Sequence, residues 1–201
     1  VRALLYVSSA VTVLLLVCII GYICYRGIPG INWEFLATEE SLLRGTMGIL
    51  PAIVNTLYVI LFSIIIALPL GVGAAIYLTE YAHNRRLVTA IEYATETLAG
   101  IPSIIYALVG AIIFSEALKL GTTLIAGSLT LVIMTLPTII RTTQESLKTV
   151  PQSYREGSLG LGSGKWRMIR TVVLPSSVDG IVTGCILAIG RVVGESAVLM
   201  Y

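Results

Sequence analysis

Apolar residues along this chain gather into five long runs separated by short polar stretches. The runs cover about residues 3–25, 49–78, 93–114, 122–140 and 178–201. Each is long enough for a helix to cross a hydrocarbon core of about 30 Å. In lipid the backbone must satisfy its own hydrogen bonds, so the pattern predicts helices. The runs are also too long for the roughly 9–11-residue strands of a membrane barrel. The first run exceeds a signal-peptide core, and no small-residue cleavage site follows it. Pro51 and Pro69 predict kinks in the second run, which is long enough to tilt. Gly100 and Pro102 lie inside the third, and Pro137 near the end of the fourth. The expected fold is an all-α integral membrane protein, a single polytopic helical domain over residues 1–201. The last run is still apolar at Met200-Tyr201, which suggests a truncated or incompletely covered chain.

The polar residues depart from a plain loop pattern between Ser153 and Pro175, within the expected cytoplasmic loop 141–177. Ser153 and Glu156 have the S-x-x-E spacing of a capping box, and Pro151 stops any earlier helix from running in. A helix is predicted to start there and to end at Gly160 or Gly162. At about two turns it is too short to stand alone in water and needs a surface to dock against. Its small residues Gly157, Ser158 and Gly160 suit close approach. Lys165-Trp166-Arg167-Met168-Ile169-Arg170 then alternates basic and apolar residues, as at a membrane interface. An ordinary basic loop would share this composition, which alone decides nothing.

Composition sharpens the class. The 201 residues are 56% hydrophobic and only 12% charged, against about 25% charged in soluble domains. The net charge of +2 matters less than its placement. With the N-terminus inside, the inner loops hold Arg85, Arg86, Arg141, Lys148, Arg155, Lys165, Arg167 and Arg170, with Arg2 at the start. The outer loops hold Arg26, Arg44 and Lys119. The asymmetry follows the positive-inside rule and puts the Ser153 helix in the cytoplasm. In the first outer loop, Trp33-Glu34-Phe35-Leu36 suits a short amphipathic helix on the outer interface. Cys18, Cys24 and Cys185 lie in or beside apolar runs without C-x-x-C spacing, as small hydrophobes would. The lone His83 has no ligand pattern around it. Nothing points to a nucleic acid.

No nucleophile–base constellation and no G-x-x-x-x-G-K-[ST] loop is present, so the chain is not expected to be an enzyme. Any ATP used with it would be hydrolysed on another chain. Arg191 and Glu195 lie four apart in the fifth run, on one face if helical. Intramembrane charge is costly and faces a bundle interior or a watery cavity. The pair is either a packing ion pair or part of an anion path, where Arg191 offers its forked donors and Glu195 orients it. Gly190, Gly194, Ser196 and Ala197 leave room around it. Glu92 and Glu96 also lie four apart. Glu92 suits interfacial solvation; Glu96 sits deeper and could bond backbone freed by Pro102 or line an inner gate.

The stretch from Glu156 through Gly162 to Val172, Leu174 and Pro175 resembles the E-A-A-x-x-x-G-x9-I-x-L-P loop of ABC importer membrane subunits. It departs at the two alanines, here Gly157 and Ser158, and at Val172. Gly190-Arg191-Val192-Val193-Gly194-Glu195-Ser196-Ala197 resembles the G-R-x-x-G-E-T-A segment of phosphate-specific importer subunits. Pro137-Thr138-Ile139-Ile140-Arg141-Thr142-Thr143 resembles the P-x-x-I-R-T-T of their PstA-type member. Gly100-Ile101-Pro102-Ser103-Ile104 and Tyr77-Leu78-Thr79-Glu80-Tyr81 match further segments. The resemblance implies a type I ABC importer permease, with five spans visible of an expected six. It implies a multi-pass subunit in a bacterial or archaeal cytoplasmic (inner) membrane, among lipid, carrying phosphate inward; another oxyanion or small solute is the alternative. It implies a substrate path through Arg191, Glu195 and Glu96. It further implies ATPase docking by Ser153, Tyr154, Arg155, Glu156, Gly157, Ser158 and Gly162. The expected partners are a second PstC-like permease, two ATPase subunits and an extracytoplasmic phosphate-binding protein. No cofactor is expected on this chain; ATP and Mg belong to the ATPase.

Overall fold

The computed structural model describes residues 2–39 and 48–195, and these are almost wholly helical. The chain divides into two compact units, Val1–Val54 and Asn55–Tyr201. In the first unit, α1 (Arg2–Gly27) is apolar along its length and has no buried residue. Its 26 residues give about 39 Å of helix. A 3₁₀ turn at Ile28–Gly30 leads to α2 (Trp33–Ala37), the short helix expected there. The amide of Ile49 donates to Phe35 O at 3.0 Å and that of Leu50 to Thr38 O at 3.3 Å. Arg44 lies outside the described residues.

The second unit is built on α6 (Leu124–Thr149). α3 (Leu50–Ile76) packs on it through Val59, Ser63, Ala67, Gly71 and Ala75, one buried residue per turn. Ser63 Oγ donates to Ser128 O at 3.3 Å. On another side, α10 (Val178–Val193) buries Gly184, Ala188 and Val192. A Cβ at Gly184 would run into Thr142, and one at Gly180 into Ser146. Small residues spaced by four thus bring α10 close to α6, the packing that replaces hydrophobic collapse between helices in lipid. Among the described residues three helices are long and apolar enough to cross a membrane: Arg2–Gly30, Leu50–Tyr81 and Leu124–Thr149.

Several boundaries differ from those expected. Pro51 falls in the first turn of α3 and breaks nothing, since a first-turn amide has no intrahelical partner. Pro69 and Pro137 lie inside α3 and α6 without ending them. α3 passes into a π turn at Tyr77–Tyr81. The third expected span is two helices. α4 (Arg85–Ala99) is capped by Asn84, whose side chain accepts from the amides of Arg86 and Leu87. α5 (Ser103–Gly110) follows and continues as a π segment, Ala111–Ala117. The two directions differ by 99°. Pro102 lacks an amide hydrogen and forces Ile101 out of helical geometry, which turns a continuous apolar run into a corner.

The loop placed at 141–177 is mostly helical. α6 carries on through Arg141 to Thr149. α7 (Gln152–Gly160) and α8 (Lys165–Met168) follow, then a π segment at Ile169–Val173 and α9 (Leu174–Ser176). A 66° bend at Ser177 leads into α10. The fifth run is described as far as Glu195. Ser196, Ala197, Met200 and Tyr201 lie outside the described residues.

Candidate functional site

α7 begins one residue after Pro151, whose extended backbone (φ −57°, ψ 142°) occupies the N-cap position without a side-chain bond. Ser153 is therefore the second helical residue, and the capping box expected from Ser153 and Glu156 does not form. The spacing was right, but the proline starts the helix too early for it. The other end follows the glycine rule. Gly162 has φ +83°, its amide donates to Leu159 O at 2.9 Å, and the Ser163 amide donates to Ser158 O at 3.3 Å. Those two bonds make a Schellman motif, with the left-handed residue where a side chain is disfavoured.

Most of α7 is exposed: Ser153, Tyr154, Glu156, Gly157 and Leu159 face outward. Arg155 and Ser158 are the partly buried residues. Ser158 and Ser163 share a hydroxyl–hydroxyl bond of 2.6 Å. Arg155, expected among the docking residues, turns inward instead. Its Nη2 lies 2.9 Å and its Nε 3.1 Å from Glu80 Oε1. Nη2 also donates to Leu147 O at 2.8 Å, and Nη1 to Val150 O. The Arg155 and Glu80 side chains are only 12% and 7% exposed. Lys165 Nζ stands 5.0 Å from the centre of the Tyr81 ring. Beneath them, Ala75, Leu147, Val150, Met168, Ile169 and Val173 form a buried cluster. Glu80 has little in the local pattern to mark it as a partner of Arg155. Its one signal was its place in the Tyr77–Tyr81 motif, 75 positions from Arg155.

A second polar group lies between α4 and α6. Glu96 Oε1 accepts from Arg141 Nη1 at 2.9 Å, and Arg141 Nε donates to Glu145 Oε1 at 3.2 Å. Glu92 Oε1 accepts from Lys148 Nζ at 3.0 Å and from Gln144 Nε2 at 3.3 Å. These side chains and Thr95 line a cavity of about 210 Å³. One role open to Glu96, bonding backbone freed near Pro102, is filled by another residue: Tyr106 Oη donates to Leu98 O at 2.8 Å.

Arg191 is half-buried on α10, within electrostatic reach of Tyr106. α10 ends at Val193 with Gly194 as its C-cap, and the Glu195 amide donates to Val192 O at 3.2 Å. Glu195 therefore follows directly on the C-cap, four positions after Arg191.

Residues 67–201 match the family described as the binding-protein-dependent transport system inner membrane component. The chain belongs to that family of inner membrane components. Among curated relatives, the probable ABC transporter permease protein YqgI of Bacillus subtilis (strain 168) is 34% identical over 193 residues. That match covers 96% of this chain and 66% of the relative. The phosphate transport system permease protein PstA of Yersinia pestis is 37% identical, over 88% of this chain and 60% of the relative. The protein of the same name from Mycobacterium leprae (strain TN) is 33% identical, over 96% and 64%. The chain thus spans between 60% and 66% of the length of these relatives. A chain from an inward-facing structure of the MetNI methionine ABC transporter superposes with a TM-score of 0.59 at 24% identity, covering 76% of this chain and 70% of that one. The shared fold is that of a type I ABC importer permease.

Proposed function

We propose that this chain is a membrane subunit of an ATP-driven importer for inorganic phosphate. The observation that carries the coupling half of this reading is α7, displayed outward on Tyr154, Glu156 and Gly157 and anchored from beneath. Such a helix suits docking to a separate ATPase, which would bind ATP and Mg and do the hydrolysis. The substrate half is supported by the relatives named as phosphate permeases at 32–37% identity. Arg191 is the candidate phosphate contact, because a guanidinium matches an oxyanion with two parallel donors. Glu195 and Glu96 would stand along the same path. A second, PstC-like permease, two ATPase subunits and an extracytoplasmic phosphate-binding protein complete the machine, with α7 and the chain's N-terminus on the cytoplasmic side.

The test is uptake of labelled phosphate and labelled sulfate by the assembled complex in vesicles. Phosphate uptake that depends on ATP is expected, with Arg191→Gln abolishing it and Arg191→Lys impairing it. Glu156→Lys on the outward face of α7 should lose uptake while the protein still inserts. Preferential sulfate uptake would overturn the substrate. Unimpaired phosphate uptake by Glu156→Lys would overturn the docking role of α7.

A further inference from the structure

We propose that Arg155 is a positioning residue which, through Glu80, clamps α7 to the C-terminal end of α3 and so carries displacement of α7 into the membrane helices. This rests on the coupling reading of α7 given above. A helix of nine residues followed by Leu161-Gly162-Ser163-Gly164 is a poor lever by itself. Any push on it would be absorbed by the glycines unless something fixed it to the bundle.

Arg155 makes that attachment. Its guanidinium ties α7 to two elements at once: Glu80 in the π turn after α3, and the end of α6 through Leu147 O and Val150 O, its C-cap. A planar fork can hold all of these in one geometry, which an ammonium cannot. Burial makes the attachment firm. The Glu96–Arg141 side chains are 65% and 54% exposed, and Glu92–Lys148 37% and 57%, so water and salt weaken both. Solvent scarcely reaches the Arg155–Glu80 ion pair. The adjacent residue is held as well, since Lys165 at the start of α8 covers the Tyr81 ring. The π turn is thus gripped by α7 on one residue and by α8 on the next. Arg155 therefore acts through Glu80 and is set apart from the outward residues that would meet the ATPase.

The experiment uses the assembled complex, with both permeases, ATPases and binding protein, in sealed vesicles. ATP hydrolysis and phosphate uptake are measured together for Arg155→Gln, Arg155→Lys, Glu80→Gln and Glu156→Lys, and ATPase retention is followed by co-purification. For Arg155→Gln and Glu80→Gln, ATPase retention is expected, with ATP consumed per phosphate rising about tenfold, within the range of single changes along a coupling chain. Arg155→Lys should fall between these and the parent, because it keeps a charge for Glu80 and loses the carbonyl bonds. An unchanged ratio in Arg155→Gln, alongside lost uptake in Glu156→Lys, overturns the clamp and leaves the docking reading standing. Loss of the ATPase from Arg155→Gln but not from Glu80→Gln also overturns it, since Arg155 would then be a docking contact. If none of the Arg155 and Glu80 variants accumulates in the membrane, the pair serves folding alone and the proposal falls. Normal uptake by Glu156→Lys would remove the docking reading itself.

Discussion

Gly184 shows how finely single residues set this bundle. Its missing side chain lets α10 approach Thr142 on α6, and a leucine there would wedge two helices apart. Gly184→Leu is expected to cost about 1–3 kcal/mol by overpacking, read as a lower unfolding temperature in detergent than for the parent. Gly162 illustrates a different constraint. There is open space around it, so the cost of Gly162→Ala is conformational. Holding a side chain at positive φ should cost about 1–2 kcal/mol, seen as faster hydrogen exchange at the Ser163 amide, which closes the Schellman motif. The stop at Gly162 could be read from the sequence because glycine's backbone freedom is local. The start of α7 could not. Ser153 and Glu156 satisfied a spacing rule, but the outcome turned on Pro151 taking the N-cap itself. Arg155 was harder still. Its inward turn depends on Glu80, and a pairing between residues so distant in sequence leaves no mark in the local pattern.

At the scale of elements, apolar length predicted where helices are but not where they point. The runs that became α1, α3 and α6 were legible because each is one continuous helix. The run at 93–114 was not, since a hydropathy pattern carries no direction and the 99° corner at Gly100–Pro102 is invisible to it. The polar side of α4 held a clue: Glu92 and Glu96 sit four apart, as a helix lying against charged partners requires. Tyr106 braces the corner by bonding the carbonyl of Leu98 across it. Tyr106→Phe removes that donor and leaves a carbonyl without a partner, a loss of about 1 kcal/mol. Chemical denaturation of the detergent-solubilised protein checks the size. Faster exchange of amides at residues 98–103 than elsewhere would place the effect at the corner. Uniform change across the bundle would argue against a bracing role.

For the whole molecule, the proposed orientation with α7 on the cytoplasmic side can be tested directly. Cysteine placed at Ser163 should react with an impermeant reagent only from the cytoplasmic face, and at Thr38 only from outside. Labelling of Ser163 in intact cells would reverse the orientation drawn from the Lys and Arg distribution. The large apolar side chains exposed over the single chain are what a permease would cover with lipid and with a second subunit. The sequence made the class legible because its loop and helix motifs are spread over most of the chain. The polar cluster between α4 and α6 and the Arg155 anchor were hidden for the opposite reason: each is assembled from elements far apart in sequence.

The Arg155–Glu80 contact also restricts how this chain can drift over generations. Replacing either residue strands the other charge in a site with little water, at a cost of about 3–5 kcal/mol. Two uncharged residues of similar volume would be tolerated better than one charge alone. Substitution at the two positions should therefore be correlated across lineages: a permease that has lost the carboxylate at 80 should also have lost the arginine at 155. Chains with the arginine retained opposite an apolar residue would be expected only where another acid from α6 or α8 has moved in to take its place.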